Sequence, residues 1–196
     1  MTREAFLGSL LSVFAIPFTA CSQPAAPRDV SGQDGPDPNG QNPNGPRLIP
    51  EPDPDPKPPV VRKTEAEWRA LLPAGAYAVL FEGQTEPPGF SPLAYEYDDG
   101  TYLCAACFLP LFESTAKYDS GTGWPSFWEP IGADRVGYSS DDSLGSPRTE
   151  YHCTRCGGHH GHVFTDGPPP TGLRYCNNGL ALHFVPQGQA IPDLRN

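Results

Sequence analysis

Tyr102-Leu103-Cys104-Ala105-Ala106-Cys107 and Tyr151-His152-Cys153-Thr154-Arg155-Cys156 repeat one local pattern, an apolar lead into a C-x-x-C turn. Each tight turn lets two sulfurs converge on a single ion. Two such knuckles complete an all-thiolate tetrahedral site with no open position, which is the arrangement of structural rather than catalytic zinc. The competing reading is a pair of disulfides or redox C-x-x-C motifs, which an oxidising compartment favours. The expectation is therefore one structural Zn2+ on Cys104, Cys107, Cys153 and Cys156. His152, His159 and His160 are alternative ligands, but four cysteines already suffice.

Around the knuckles, short apolar runs alternate with Gly, Pro and Asp turns. Residues 76–81, 100–103, 136–138, 149–152, 162–164 and 180–185 read as strands, with alternation clearest in Ala181-Leu182-His183-Phe184-Val185. Thr64-Glu65-Ala66-Glu67 reads as a capping box opening a helix through Trp68 and Leu71, which should stop at Leu72 because Pro73 follows. The expected class is mainly β and antiparallel, with a short N-terminal helix and a four-cysteine zinc site.

Outward from this domain the composition changes. Of 196 residues 26 are proline, concentrated between Pro24 and Pro59. Residues 22–61 have almost no apolar side chains before Leu48-Ile49 and cannot form a core, so they read as a Pro/Gly-rich disordered linker, stiff where Pro-Asp-Pro-Asp-Pro-Lys-Pro-Pro runs (52–59). Residues 1–21 read as an export signal: Arg3, an apolar run from Ala5 to Ala20 too short to span a membrane, then Phe18-Thr19-Ala20-Cys21, which resembles a bacterial lipoprotein box. The expectation is an exported protein of the bacterial cell envelope, lipid-anchored at Cys21 and held off the membrane by the linker. The folded domain is expected over 62–196. It carries nine basic and sixteen acidic residues, which disfavours nucleic-acid partners.

Subtracting the knuckles and Cys21 leaves one of the six cysteines, Cys176. A lone thiol among histidines, an aspartate and an arginine is a candidate nucleophile. The surrounding blocks carry a resemblance. Residues 117–127, Lys-Tyr-Asp-Ser-Gly-Thr-Gly-Trp-Pro-Ser-Phe, are similar to a K-F-D-S-G-C-G-W-P-S-F signature. Residues 159–168, His-His-Gly-His-Val-Phe-Thr-Asp-Gly-Pro, are similar to H-L-G-H-V-F-x-D-G-P, and Arg174-Tyr175-Cys176-Asn177-Asn178 is similar to R-Y-C-x-N. These blocks, in this order and with both knuckles, resemble the methionine-R-sulfoxide reductases of the B type over about residues 64–186.

The resemblance implies two antiparallel sheets and reduction of the R epimer of protein-bound methionine sulfoxide, a repair of oxidative damage. The chemistry needs a thiolate, a proton source and a selector for the methyl group. Cys176 attacks the electrophilic sulfur. His162 protonates the oxygen, with His159 and Asn178 holding or polarising it. The resemblance places Asp166 as an orienting residue and Trp124, with Phe127, at the substrate. Methionine leaves and Cys176 becomes a sulfenic acid. Many family members carry a resolving cysteine where this chain has Thr122, so resetting falls to an external thiol, thioredoxin-like or small. The alternatives are a zinc-ribbon-like binding module, which leaves Trp124, the 159–166 block and Cys176 unexplained, or a surface lipoprotein that has lost activity.

Overall fold

The computed structural model describes residues 59–143 and 145–196. The expected signal segment and the expected linker up to residue 58 lie outside the described residues. The chain already joins the fold at Val61, whose amide donates to the Arg155 carbonyl at 2.8 Å. Among the described residues no helix is long and apolar enough to cross a membrane.

The capping box forms as expected. The Glu67 amide donates to Thr64 Oγ1 at 3.3 Å and the Thr64 amide to the Glu67 carboxylate at 2.7 Å, and α1 runs Glu65–Leu71. The next segment differs from expectation: residues 76–81, read as a strand, lie inside a second helix, α2 (Ala74–Glu82). Pro73 at its N-cap supplies a fixed φ, and Gly83 closes it at φ 67°. This is the Pro-before, Gly-after asymmetry of helices. Ala76, Tyr77, Val79 and Leu80 are buried, a helical rather than alternating pattern. Trp68 of α1 stacks on Phe81 of α2, ring centroids 5.1 Å apart.

The rest is antiparallel β. A three-stranded sheet has the order β2-β1-β9, from β1 (Gly100–Cys104), β2 (Pro110–Glu113) and β9 (Leu182–Pro186). A six-stranded sheet has the order β3-β4-β8-β7-β6-β5. Its strands are β3 (Lys117–Tyr118), β4 (Ser126–Phe127), β5 (Val136–Asp141), β6 (Arg148–Cys153), β7 (His159–Phe164) and β8 (Arg174–Asn177). Tyr102 and Phe112 of the small sheet meet Phe127, Tyr151 and Tyr175 of the large one. Phe112 stacks on Phe127 at 4.4 Å, and Tyr102 and Tyr175 approach edge-on or tilted. All five rings are fully buried. Because side chains alternate along a strand, burying Tyr175 and Asn177 turns Cys176, between them, to the opposite face. That face carries the candidate site.

Candidate active site

Register places the site. Across the large sheet, Tyr118 pairs with Ser126, Ser126 with Cys176, Cys176 with His162, His162 with Glu150, and Glu150 with Ser139. One row of residues thus crosses six strands with the thiol near its middle. The close approach of β7 and β8 beside the thiol requires glycine: a Cβ on Gly161 would collide with the Cys176 carbonyl.

Cys176 is half-buried and makes no disulfide. Burial pushes its thiol above the ordinary range, while the Arg174 charge and hydrogen bonding from Thr122 and Arg174 pull it back. The neighbours therefore offset part of the cost that burial imposes on the thiolate. Arg174 is held by Asp166 through a bidentate pair, Nε to Oδ1 at 2.8 Å and a second nitrogen to Oδ2 at 2.9 Å. Arg174 also lies over the Phe164 ring at 4.3 Å. Asp166 thus orients the guanidinium beside the thiol. On the other side, Ser120 Oγ contacts Thr122 Oγ1 and Ser126 Oγ, each at 2.8 Å. At Thr122 the chain presents a linked set of hydroxyls.

His162 Nε2 lies 2.7 Å from Asp141 Oδ2, and Arg148 reaches the same oxygen at 2.5 Å. Hydrogen bonds from Ser143, then His162, hold the Asp141 carboxyl well below its usual range. An ionised carboxylate only accepts, which assigns the proton to Nε2 and leaves Nδ1 as the basic nitrogen. Burial lowers the His162 pKa, with the Asp141 bond opposing, so burial favours the uncharged ring. His159 Nδ1 pairs with Glu150 Oε1 at 2.8 Å, and its ring packs edge-on against His162 at 5.5 Å. His160, by contrast, is fully buried behind the sheet, and burial depresses its pKa to about 3.

Two expected site residues are placed elsewhere. Phe127 is a core ring stacked on Phe112, with no exposed surface to offer a substrate. Asn178 is also buried, and its amide is committed to backbone: Oδ1 accepts from the Glu86 amide and Nδ2 donates to the His160 carbonyl, both at 3.0 Å. Trp124 is half-exposed, and its Nε1 donates to the Glu86 carbonyl at 3.1 Å. It lines a recess of about 210 Å³ with Tyr95, Tyr118, Asp119 and Gly123.

Residues 72–186, which hold every one of these groups, match the SelR domain family. The chain belongs to the SelR family. Among SelR relatives, a Thiobacillus denitrificans protein described as peptide methionine sulfoxide reductase MsrB is 51% identical over 125 residues, covering 64% of this chain and 95% of its own. An MsrB of Agrobacterium fabrum is 49% identical over 128 residues, 65% of this chain and 95% of its own. One from the archaeon Methanosarcina barkeri is 49% identical over 124 residues, 63% of this chain and 87% of its own.

In this SelR domain the knuckles meet. The four sulfurs lie within 4.8 Å of one another, and Cys104–Cys156 and Cys107–Cys153 are each 3.6 Å apart. That is far beyond a disulfide bond of about 2 Å. It is close to the ~3.8 Å edge of a tetrahedron with metal–sulfur bonds of about 2.3 Å. The cluster can hold a metal. The two turns share one frame: the Phe108 amide donates to the Cys104 carbonyl and the Gly157 amide to the Cys153 carbonyl, both at 2.9 Å. Both residues are left-handed, at φ 61° and 75°.

Sequence reasoning missed three contributors. Asp141, at the β5–β6 hairpin, carried no local signal. Glu150, which meets His159 Nδ1 and Ser139 Oγ, had no assigned role. Glu86 is buried and accepts from the Gly179 and Leu180 amides, each at 2.8 Å, while its own carbonyl holds Trp124. Only contacts across the fold reveal it.

Proposed function

We propose that this protein reduces peptide-bound methionine-R-sulfoxide to methionine, with Cys176 as nucleophile and His162 as the proton carrier. The carrying observation is the Cys176–His162 pair facing across β8 and β7, with Arg174 and Thr122 on the thiol and Asp141 on the imidazole. A resting thiol beside a neutral imidazole suits this reaction. The Cys176 proton passes to His162, and the thiolate attacks the sulfoxide sulfur. The imidazolium then protonates the oxygen as it transfers. The oxygen moves from methionine sulfur to Cys176 sulfur; methionine gains two electrons and Cys176 loses them, ending as a sulfenic acid that carries the proton. Arg174, held by Asp166, stabilises the thiolate. His159 supports the His162 ring, and Trp124 walls the methyl group.

Thr122 has no thiol to offer, so the sulfenic acid is reset from outside. One external thiol forms a mixed disulfide with Cys176 and releases water; a second releases Cys176 and leaves oxidised reductant. The reductant is a thioredoxin-like protein or a small thiol. The four-cysteine cluster holds one structural zinc ion, which clamps the knuckles and takes no part in these steps. From residues 1–61 alone, the reading is export to the cell envelope with a lipid on Cys21, placing the repair at oxidised envelope proteins.

The test is dithiothreitol-driven turnover of a peptide carrying each sulfoxide epimer separately, with Cys176→Ser as control. The expected result is R-epimer reduction abolished by the substitution. S-epimer preference, or turnover that survives Cys176→Ser, overturns the assignment.

A further inference from the structure

The recess beside Trp124 lies between the segment carrying Tyr95 and the turn from Tyr118 to Trp124. We propose that it receives the stretch of substrate polypeptide adjoining the oxidised methionine and favours a basic side chain there. This deepens the functional reading above and rests on it.

Continuity with the thiol is the first support. The ring of Tyr118 lines the recess, while its hydroxyl is buried without a hydrogen-bond partner and lies in the field of Arg174, Asp166 and Cys176. One side chain therefore connects the recess to the reacting centre. Trp124, which also lines the recess, stands two residues from Ser126, the strand partner of Cys176.

The second support is that the recess has built walls. The Gly89 amide donates to the Gly123 carbonyl at 2.7 Å, Trp124 Nε1 to the Glu86 carbonyl, and Lys117 Nζ to the Ala94 carbonyl at 3.2 Å. These bonds tie the two segments together at several points. Gly123 is required there: it stands at φ 85°, and a Cβ would press on the Gly89 amide at 2.9 Å. Out of this tethered wall stand Phe90, Tyr95 and Tyr97, exposed by 61%, 68% and 54%. Large aromatic surface left in water beside a reactive centre marks a binding face.

The third support is charge. Asp119 lines the recess, and Glu96 and Asp98 lie on the same segment as Tyr95 and Tyr97. Lys117 is a nearby counter-charge, in the field of Glu96 and Asp119. It is half-buried, bonded to the Ala94 carbonyl and lying over the Tyr97 ring at 3.8 Å, which occupies its ammonium within the wall. An extended peptide with Lys or Arg near its sulfoxide meets aromatic faces and three carboxylates, Glu96, Asp98 and Asp119, that outnumber the nearby lysine. A peptide with Glu there meets like charge.

The experiment compares kcat/KM for two peptides that differ only in Lys or Glu, placed in turn one and two residues either side of methionine-R-sulfoxide, with N-acetyl-methionine-R-sulfoxide as the small substrate. At low salt the Lys peptide is expected to lead by about two- to fivefold, the range of exposed charge pairs. Salt should shrink the lead. Asp119→Asn keeps an acceptor for the Gly121 amide that Asp119 Oδ1 now binds at 2.8 Å; it should abolish the lead at one position or more. Tyr95→Ala, at an exposed site, should lower the ratio of peptide to small-substrate kcat/KM by about fivefold. Unchanged ratios in both variants overturn the subsite while leaving the activity standing. No turnover of any substrate by the unsubstituted protein removes the activity reading and the subsite with it.

Discussion

The described residues use sulfur in two opposite ways. At one end Cys104, Cys107, Cys153 and Cys156 close on one another within 4.8 Å, fed by two knuckles of the same backbone design. On the outer face of the large sheet Cys176 stands as a single thiol among hydroxyls, a guanidinium and imidazoles. Both environments are largely withdrawn from water, so burial alone does not separate a structural sulfur from a reactive one. The number of thiols in reach does. Four thiolates that share a cation would lose their nucleophilicity to it. One thiol with a single cationic neighbour and a basic imidazole keeps its lone pair for an incoming electrophile.

The largest effect should come from breaking the cluster. Cys153→Ser leaves a poor fourth ligand, and zinc bound by such sites contributes on the order of 10 kcal/mol to folding. The expected outcome is loss of about one equivalent of zinc by elemental analysis, and a thermal transition that falls by more than about 15 °C or loses its cooperativity. A strong chelator should reproduce this in the unsubstituted protein. Cys176→Ser should keep both metal and transition while abolishing turnover. If Cys153→Ser unfolds at the temperature of the unsubstituted protein, the cluster is not a structural metal site and the comparison collapses.

A smaller effect sharpens the reactive side. Burial raises the Cys176 thiol above its ordinary range and Arg174 opposes it. Below the thiol pKa, the thiolate fraction grows tenfold per pH unit, so alkylation by iodoacetamide should climb steadily between about pH 7 and 9. Arg174→Met removes the opposing charge. The thiol then titrates still higher, and alkylation at any pH on that limb should slow by about three- to tenfold. Asp166, with 55% of its side chain exposed, can rehydrate when its partner is lost, so the fold should tolerate the change. Overlapping profiles for the two proteins would remove Arg174 from the account of thiol reactivity.

The same comparison explains what could be read from the chain. The four-cysteine cluster was legible because its sulfurs come in close pairs, each set by a four-residue turn. Cys176, His162, His159 and Trp124 were legible as parts of contiguous motifs. Asp141 and Glu86 were not, since their partners lie 21 and 92 residues away and are brought close by sheet register or loop packing. Phe127 and Asn178 were placed at the substrate because they stand in the motifs. The motif does not say which face of its strand Phe127 occupies, and Phe127 opposes Tyr175, the core-facing neighbour of Cys176; Asn178 follows β8 and binds backbone groups of Glu86 and His160. Residues 76–81 were misread because alternation of Ala with larger apolar residues mimics a strand, while the Pro73–Gly83 bracket that signals a helix lies outside the window.

The smallest effect separates the two knuckles from each other. Gly157 and Phe108 occupy equivalent left-handed positions and make equivalent amide bonds. Glycine takes that conformation freely, whereas a side chain there costs about 1 kcal/mol. Phe108 is compensated: its ring carries the Arg195 guanidinium at 4.1 Å and lies 5.4 Å from His183. Arg195 also bonds the Ala105 and Ala106 carbonyls inside the knuckle. Gly157 has open space and no such partners. Gly157→Ala should therefore cost about 1 kcal/mol of unfolding free energy. Phe108→Gly should bring no gain, because relief of the backbone is offset by the lost ring contacts and a more flexible unfolded chain. Denaturant titration of both variants distinguishes these outcomes. Neither change should alter kcat or the Cys176 alkylation profile, since both act at the metal end; a change in either would mean that the two uses of sulfur are coupled.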